Sequence, residues 1–302
     1  MERSEPSGVL VLNKPAGMTS HDCVNIIRRL YDTKKVGHTG TLDPMATGVL
    51  PILIGRAAKA SDLLTAEDKV YRAGLKLGIT TDTEDTTGTI LTTSDKIPSE
   101  RAVREVCASF VGEIMQTPPM YSALKVGGKK LVDLARRGVT IEREARPIKI
   151  FSISVEPTDS PDSYILTVSC SKGTYIRTLC ADIGKTLGCG GCMSSLERLK
   201  SGQFTLDGAV TPEKLRELEP EERLGLLRPV ESLFSDLDEV ILPPFFEKLA
   251  RDGCEIYQKK IGLDLPVGTR VRLAGKNGFF ALGEVFDYPD GSAIKAVKLF
   301  VL

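Results

Sequence analysis

The run Gly37-His38-Thr39-Gly40-Thr41-Leu42-Asp43-Pro44 combines two glycines, a histidine, an aspartate and a proline in eight residues. Glycine permits close approach or positive φ, and the ring of Pro44 pushes the residue before it into an extended conformation. Asp43 is therefore held off any helix ladder. An ionised carboxylate presented in this way can serve as a nucleophile or as an electrostatic partner, and one such group suffices. Taken alone, an Asp-Pro dipeptide is a turn, and a single histidine such as His38 is more often solvated or structural. The chain carries only one other histidine, His21, and seven cysteines. Cys189 and Cys192 form a C-x-x-C pair, but a structural zinc site wants a second pair of ligands, and both histidines lie far upstream. An odd number of scattered thiols is also a poor disulfide framework.

These residues need elements to hold them. Gly8 to Asn13 is an apolar run that predicts a buried strand, and Lys14-Pro15-Ala16-Gly17 breaks it. Thr19 or Ser20 caps a following helix whose buried face is Val24, Ile27 and Leu30. From Lys69 to Leu77 the pattern alternates, placing Tyr71, Ala73, Leu75 and Leu77 on one strand face. A helix over residues 99–111 buries Val103, Val106, Cys107 and Phe110, with Gly112 as its stop. Tyr164, Leu166, Val168 and Cys170 share a face of another strand. Ser171 to Thr174 then leads into a helix with the apolar stripe Ile176, Leu179, Cys180, Ile183 and Leu187, and Arg177 lies in its first turn. Thr211-Pro212-Glu213 opens an acidic helical region. Beyond a boundary near Pro243-Pro244, three strand-like runs (269–274, 279–286 and 293–301) are separated by Asn277-Gly278 and Pro289-Asp290-Gly291. Strands and helices mix without a regular βαβ rhythm, which is an α+β pattern, and neither G-x-G-x-x-G nor a P-loop is present.

The 302 residues carry 40 basic and 40 acidic side chains, so a uniformly basic coat is excluded. Charge is nonetheless uneven along the chain. Residues 1–60 sum to +3 and residues 101–150 to +5, whereas residues 61–100 and 211–240 sum to −4 and −5. Within the second basic stretch, Lys125, Lys129, Lys130, Arg136, Arg137, Arg143, Arg146 and Lys149 outnumber Asp133, Glu142 and Glu144. Charge runs usually mark a solvated face. No apolar run is long enough for a membrane span, and the first six residues lack the apolar core of a secretory signal, so a cytoplasmic protein is expected.

The Asp43 octet and its surroundings resemble the TruB family of tRNA pseudouridine synthases, bacterial type. The likeness is carried by Gly8 to Ser20, the octet itself, Lys69-Val70-Tyr71-Arg72, Leu77-Gly78 and Thr81-Asp82-Thr83-Glu84-Asp85. It continues through Pro119 to Lys125, Arg143 to Pro147, Cys170 to Arg177 and Leu196-Glu197-Arg198-Leu199, in the family's order over most of residues 8–200. The resemblance implies a pseudouridine synthase fold: a mixed, largely antiparallel sheet flanked by helices over residues 1–240, with an RNA-gripping insertion at about 119–147. A PUA-like β-barrel is expected over residues 241–302. The implied reaction converts the T-loop uridine of tRNA, conventionally position 55, to pseudouridine. It breaks N1–C1′, turns the uracil and joins C5 to C1′, with no cofactor and no metal.

Roles follow from the matching motifs. Asp43 is the catalytic carboxylate, Arg177 pairs with it and lowers its pKa, and Tyr71 stacks on the target base near a proton transfer. His38 meets the flipped nucleotide, Leu196 walls the base pocket, Lys14 contributes to substrate binding, and Asp85 holds the Arg177 guanidinium. Lys125, Lys129, Lys130, Arg136, Arg137 and Arg146 contact tRNA phosphates. Each also has an ordinary structural reading: core tyrosine, core leucine, solvated arginine, polar turn. A stand-alone monomer acting on the T stem-loop is expected, rather than a member of the guide-RNA branch with its longer terminal extensions. Two other classes compete. A non-catalytic RNA-binding or chaperone protein would be indifferent to Asp43. A nucleoside or glycoside hydrolase needs a second carboxylate in a paired acid or base role and would release free uracil.

Overall fold

The computed structural model of the chain describes residues 5–64, 67–122 and 124–301, and the side chains of Lys125 and Lys130 lie outside that description. Among the described residues the main sheet has nine strands. Its path runs Gly8–Lys14, Thr47–Ile54, Gly191–Ser201, Lys69–Leu77, Ser163–Cys170, Arg146–Pro157, Gly112–Gln116, with the short strands Val36–His38 and Phe204–Thr205 at its side. Neighbours pair antiparallel except at one place, where Glu197 and Arg198 run parallel to Thr47 and Gly48. The sheet is mixed and largely antiparallel, as the resemblance implies.

The alternation in Lys69–Leu77 is realised in full. Tyr71, Ala73, Leu75 and Leu77 are buried, together with Leu166, Val168 and Cys170 of the next strand. Three helices cover this face: Ser20–Leu30, Glu100–Ser109 and Ile176–Thr186. Their buried residues, among them Val24, Ile27, Val103, Cys107, Leu179 and Ile183, join the strand side chains in one core. Thr19 caps the first helix in a reciprocal box with Asp22, each satisfying a backbone N–H of the other. Gly112 does more than stop the second helix: with φ 121° it turns directly into the Gly112–Gln116 strand.

The opposite face of the first two strands, Val9, Val11, Val49 and Leu53, packs against Phe204, Leu233, Phe234, Leu282 and Phe300. These last two residues belong to the C-terminal segment, which forms a curled five-stranded sheet in the order Glu239–Ile241, Arg270–Gly275, Gly278–Tyr288, Gly291–Leu299, Ile256–Tyr257. Glu239–Ile241 lies before Pro243 and runs parallel to Arg270–Gly275. A three-residue strand has too little periodicity to be read from sequence, so its membership is decided by pairing. No helix among the described residues is long and apolar enough to cross a membrane.

The parallel junction of the main sheet depends on a glycine. Gly48 has φ 101°, and a β-carbon there would lie 2.3 Å from the Arg198 carbonyl oxygen and 2.8 Å from its nitrogen. Gly48→Ala must strain the backbone and push the two strands apart. A loss of at least about 2 kcal/mol is expected, read as a lowered denaturant midpoint. A midpoint equal to that of the native protein would show that the junction yields freely.

Candidate active site

The Asp43 loop enters the parallel junction from one side and is tied down by neighbours that leave its carboxylate free. Ser20 Oγ accepts from Leu42 N–H at 2.8 Å and donates to the Leu42 carbonyl at 3.2 Å. The Pro44 carbonyl accepts from Gly17 N–H at 2.8 Å and from Lys14 Nζ at 3.3 Å. Lys14 also donates to the Pro15 carbonyl at 2.8 Å and is fully buried. Burial pushes its ammonium pKa down, against the pull of nearby Asp43. Lys14 thus meets the site through the loop backbone.

Arg177 is presented by the first turn of the Ile176–Thr186 helix. Its Nε lies 3.0 Å from Asp43 Oδ2 and its Nη2 donates to Asp43 Oδ1 at 3.3 Å. The guanidinium therefore grips both carboxylate oxygens in a fork. Its remaining donors are also used: Nη1 to the Thr83 carbonyl at 3.1 Å, Nη2 to the Tyr121 carbonyl at 2.8 Å. Asp85 Oδ2 stands 3.7 Å from Nη1. The Arg177 side chain is only 7% exposed, whereas Asp43 keeps a third of its side chain open to solvent.

Asp85 is buried, and its Oδ1 accepts from Thr83 Oγ1 at 2.8 Å, Thr87 N–H at 2.9 Å and Thr87 Oγ1 at 2.5 Å. Three donors thus hold Oδ1, and Oδ2 faces the arginine. Arg177 does pull the Asp43 pKa down as expected, but burial together with the Asp85 charge outweighs it, and the carboxyl lies above the ordinary aspartate range. A low-dielectric surrounding penalises the charged form more than one arginine, itself shared with Asp85, can offset.

Tyr71 is buried, and the Asp43 charge is among those that act on it. It stands opposite Arg198 in the sheet register, and burial pushes its phenol pKa up, so the hydroxyl is neutral. Leu196 is buried on the same strand as Arg198, opposite Ala73. His38 Nδ1 accepts from Gly40 N–H at 3.2 Å, and burial beside Arg198 pushes its pKa down. A neutral imidazole with its proton on Nε2 results, suited to filling space and offering one donor.

Arg198 was singled out by nothing in the sequence beyond its place in the Leu196–Leu199 motif. It is 1% exposed. Its Nε donates to the Val49 carbonyl at 2.7 Å and its Nη2 to the Gly40 carbonyl at 3.2 Å. It therefore holds the far end of the Asp43 loop and supplies the positive charge that faces both Tyr71 and His38. A charged residue two positions after Leu196, on the same strand face, was the available signal.

The basic insertion leaves the sheet after Gln116 and returns at Arg146, which face each other in register. Lys125–Val126 and Lys129–Lys130 form a two-stranded hairpin, followed by a short helix, Leu131–Ala135. Lys129, Arg136, Arg137 and Arg146 are exposed. None of the four has a described ion pair, and the insertion meets the Asp43 site through the Tyr121 carbonyl on Arg177.

Residues 28–176 match the family model described as TruB family pseudouridylate synthase, N-terminal domain. Residues 177–243 match the tRNA pseudouridylate synthase B C-terminal domain. The chain is similar to tRNA pseudouridine synthase B of Alkaliphilus oremlandii, at 46% identity over 92% of this chain and 93% of that one. It is likewise similar to tRNA pseudouridine synthase B of Aromatoleum aromaticum, at 43% identity over 99% and 94% of the two chains. Among solved structures, a chain of a Cbf5-Nop10-Gar1 complex superposes with a TM-score of 0.69 at 27% identity, covering 97% of this chain and 85% of its own. A chain of an H/ACA RNP bound to a substrate RNA containing 2′-deoxyuridine shares the fold, with a TM-score of 0.70 at 24% identity over 98% and 85% of the two chains. Matched by consecutive N- and C-terminal family models and alike over nearly the whole length of these synthases, the chain belongs to the TruB family of pseudouridylate synthases.

Proposed function

We propose that this member of the family isomerises the T-loop uridine of tRNA, position 55 by convention, to pseudouridine, with Asp43 as the catalytic carboxylate. The observation that carries this reading is the forked Arg177–Asp43 pair on a pinned loop, in which the arginine is buried while Asp43 keeps an open side. The fork orients the carboxylate without filling that open side. Reaction breaks N1–C1′ and forms C5–C1′; the C5 proton is lost and N1 ends protonated, so atoms and charge balance with no redox partner. Asp43 acts ionised, at the sugar or the base. Tyr71, with a neutral hydroxyl, would stack on the uracil and would act on the C5 proton only as a relay, its hydroxyl giving its own proton to water as it takes that one. Leu196 and His38 would bound the pocket into which the unstacked base swings. Lys14 and Arg198 hold the loop from its two ends, and Asp85 steadies the arginine.

The hydrolase reading needs a second carboxylate free to act as acid or base. Asp85 has no such freedom, since three donors and a guanidinium occupy it. Release of free uracil from a T-loop substrate would revive that reading.

The exposed insertion would position the RNA through phosphates, with the flipped base supplying specificity. Charge reversal at Lys129, Lys130, Arg136 and Arg137 is expected to weaken tRNA binding at low salt and to flatten the dependence of log affinity on log salt by about 0.7–0.9 for each lost phosphate contact. An unchanged affinity and slope would remove the insertion from the interface. Residues 241–302, with the sheet strand that begins at Glu239, are proposed as a PUA-like RNA-contacting unit beside a catalytic unit over residues 1–240, in a cytoplasmic, monomeric enzyme.

A further inference from the structure

We infer that Gln116 is a positioning residue for the catalytic arginine, acting through the peptide at the start of the Arg177 helix. This rests on the reading of Arg177 and Asp43 as the catalytic pair. Helix starts leave backbone N–H groups without intrahelical partners, and these are commonly satisfied by a capping side chain. The Ile176–Thr186 helix begins at Tyr175, which makes no side-chain cap. Gln116 compensates from another element. Its Oε1 accepts from Tyr175 N–H at 2.8 Å and its Nε2 donates to the Tyr175 carbonyl at 3.1 Å.

Two reciprocal bonds from one planar amide fix both the position and the tilt of the Tyr175 residue. Gln116 is itself 2% exposed and ends a sheet strand, opposite Arg146. The helix start is thus pinned to the edge of the sheet, two residues before Arg177. Arg177 in turn meets two carboxylate oxygens at 3.0 and 3.3 Å, a fork that tolerates displacements of only about 0.5 Å. Gln116 also roots the basic insertion, whose Tyr121 carbonyl accepts from the same guanidinium.

Gln116→Met retains the length and apolar volume of the side chain and removes both bonds. Single-turnover tritium release from C5-labelled uridine at saturating tRNA is expected to fall about ten- to a hundredfold, with tRNA affinity and melting temperature close to those of the native protein. Because Gln116 acts through Arg177, adding Gln116→Met to Arg177→Lys should slow the reaction no further than Arg177→Lys alone. A rate within about twofold of native, or losses that multiply in the double variant, would overturn the inference. Should the methionine variant fail to fold, Gln116→Glu gives a second test. A neutral carboxyl reproduces both the acceptor and the donor of the amide, so its rate relative to native should rise on acidification, and a flat ratio would also overturn the inference. If Arg177→Lys reacted at the native rate, the catalytic pair itself would be wrong. An impaired Arg177→Lys beside an unimpaired Gln116→Met would sink only the role of Gln116.

Discussion

Replacing Asp43 by asparagine is expected to lower the rate of pseudouridine formation by at least about 10⁴-fold, the scale seen when a nucleophilic or directly assisting carboxylate is removed. Tritium release from C5-labelled tRNA measures it, and binding of the same tRNA should survive. Asparagine retains the shape and one acceptor for the arginine fork, so the loss isolates the negative charge. Turnover near the native level would return the chain to the non-catalytic RNA-binding class.

The direction of the Asp43 pKa adds two consequences. Its carboxyl is pushed above the ordinary aspartate range by burial first, with Asp85 adding to it. With Asp43 acting ionised, as proposed, the single-turnover rate is expected to fall on acidification through that raised pKa, at higher pH than for an aspartate in water. For stability the sign is opposite. A group whose folded pKa exceeds its unfolded value binds its proton more tightly when folded. Its contribution is fully present below the unfolded pKa and lost as pH rises through the folded one. At neutral pH the ionised Asp43 therefore costs stability, and Asp43→Asn should melt no lower than the native protein. A substantially lower melting temperature would mean that the charge also supports the fold.

Arg177 carries the second large effect, and here rate and stability fall together. Arg177→Lys keeps the charge but loses the planar fork, and an ammonium cannot reach both Asp43 oxygens, the Thr83 and Tyr121 carbonyls and Asp85 at once. A drop of about 10²–10³ in the chemical step is expected, with little change in tRNA affinity. Arg177→Met goes further, because it leaves buried Asp85 without a cation. Breaking a buried pair by removing one partner costs about 3–5 kcal/mol, and the three hydroxyl and N–H donors on Asp85 place the expected loss near the lower end. Chemical denaturation measures it. Restoration of stability in Arg177→Met/Asp85→Asn would identify the stranded carboxylate as the cause, and no restoration would place the cost elsewhere.

Periodicity was a sufficient guide wherever an element is long and half-buried. The alternation from Lys69 to Leu77 and the stripe from Ile176 to Leu187 both became the elements they predicted, because one face of each must leave water and spacing alone determines which residues share it. Thr19 and Asp22 likewise specify a helix start locally. The Asp43 octet was visible because glycine frees the backbone and proline restricts it whatever lies around them. Arg198 was not visible, since a guanidinium in a strand reads as solvated until carbonyls of Val49 and Gly40 are brought to it.

The sequence by itself therefore determined the main elements and the family to which their order belongs, and it nominated the residues proposed to do chemistry. Tertiary structure decided what those residues are chemically. Asp43 and Arg177 are 134 positions apart, and no local rule brings them within 3.0 Å. Burial, a property only of the assembled fold, sets the charge states: it raises the Asp43 carboxyl, keeps Tyr71 and His38 neutral, and turns Lys14 inward onto the loop it holds. The physical reason is one of range. Propensity and periodicity act over a few residues, whereas desolvation and Coulombic pairing depend on whatever the sheet brings together.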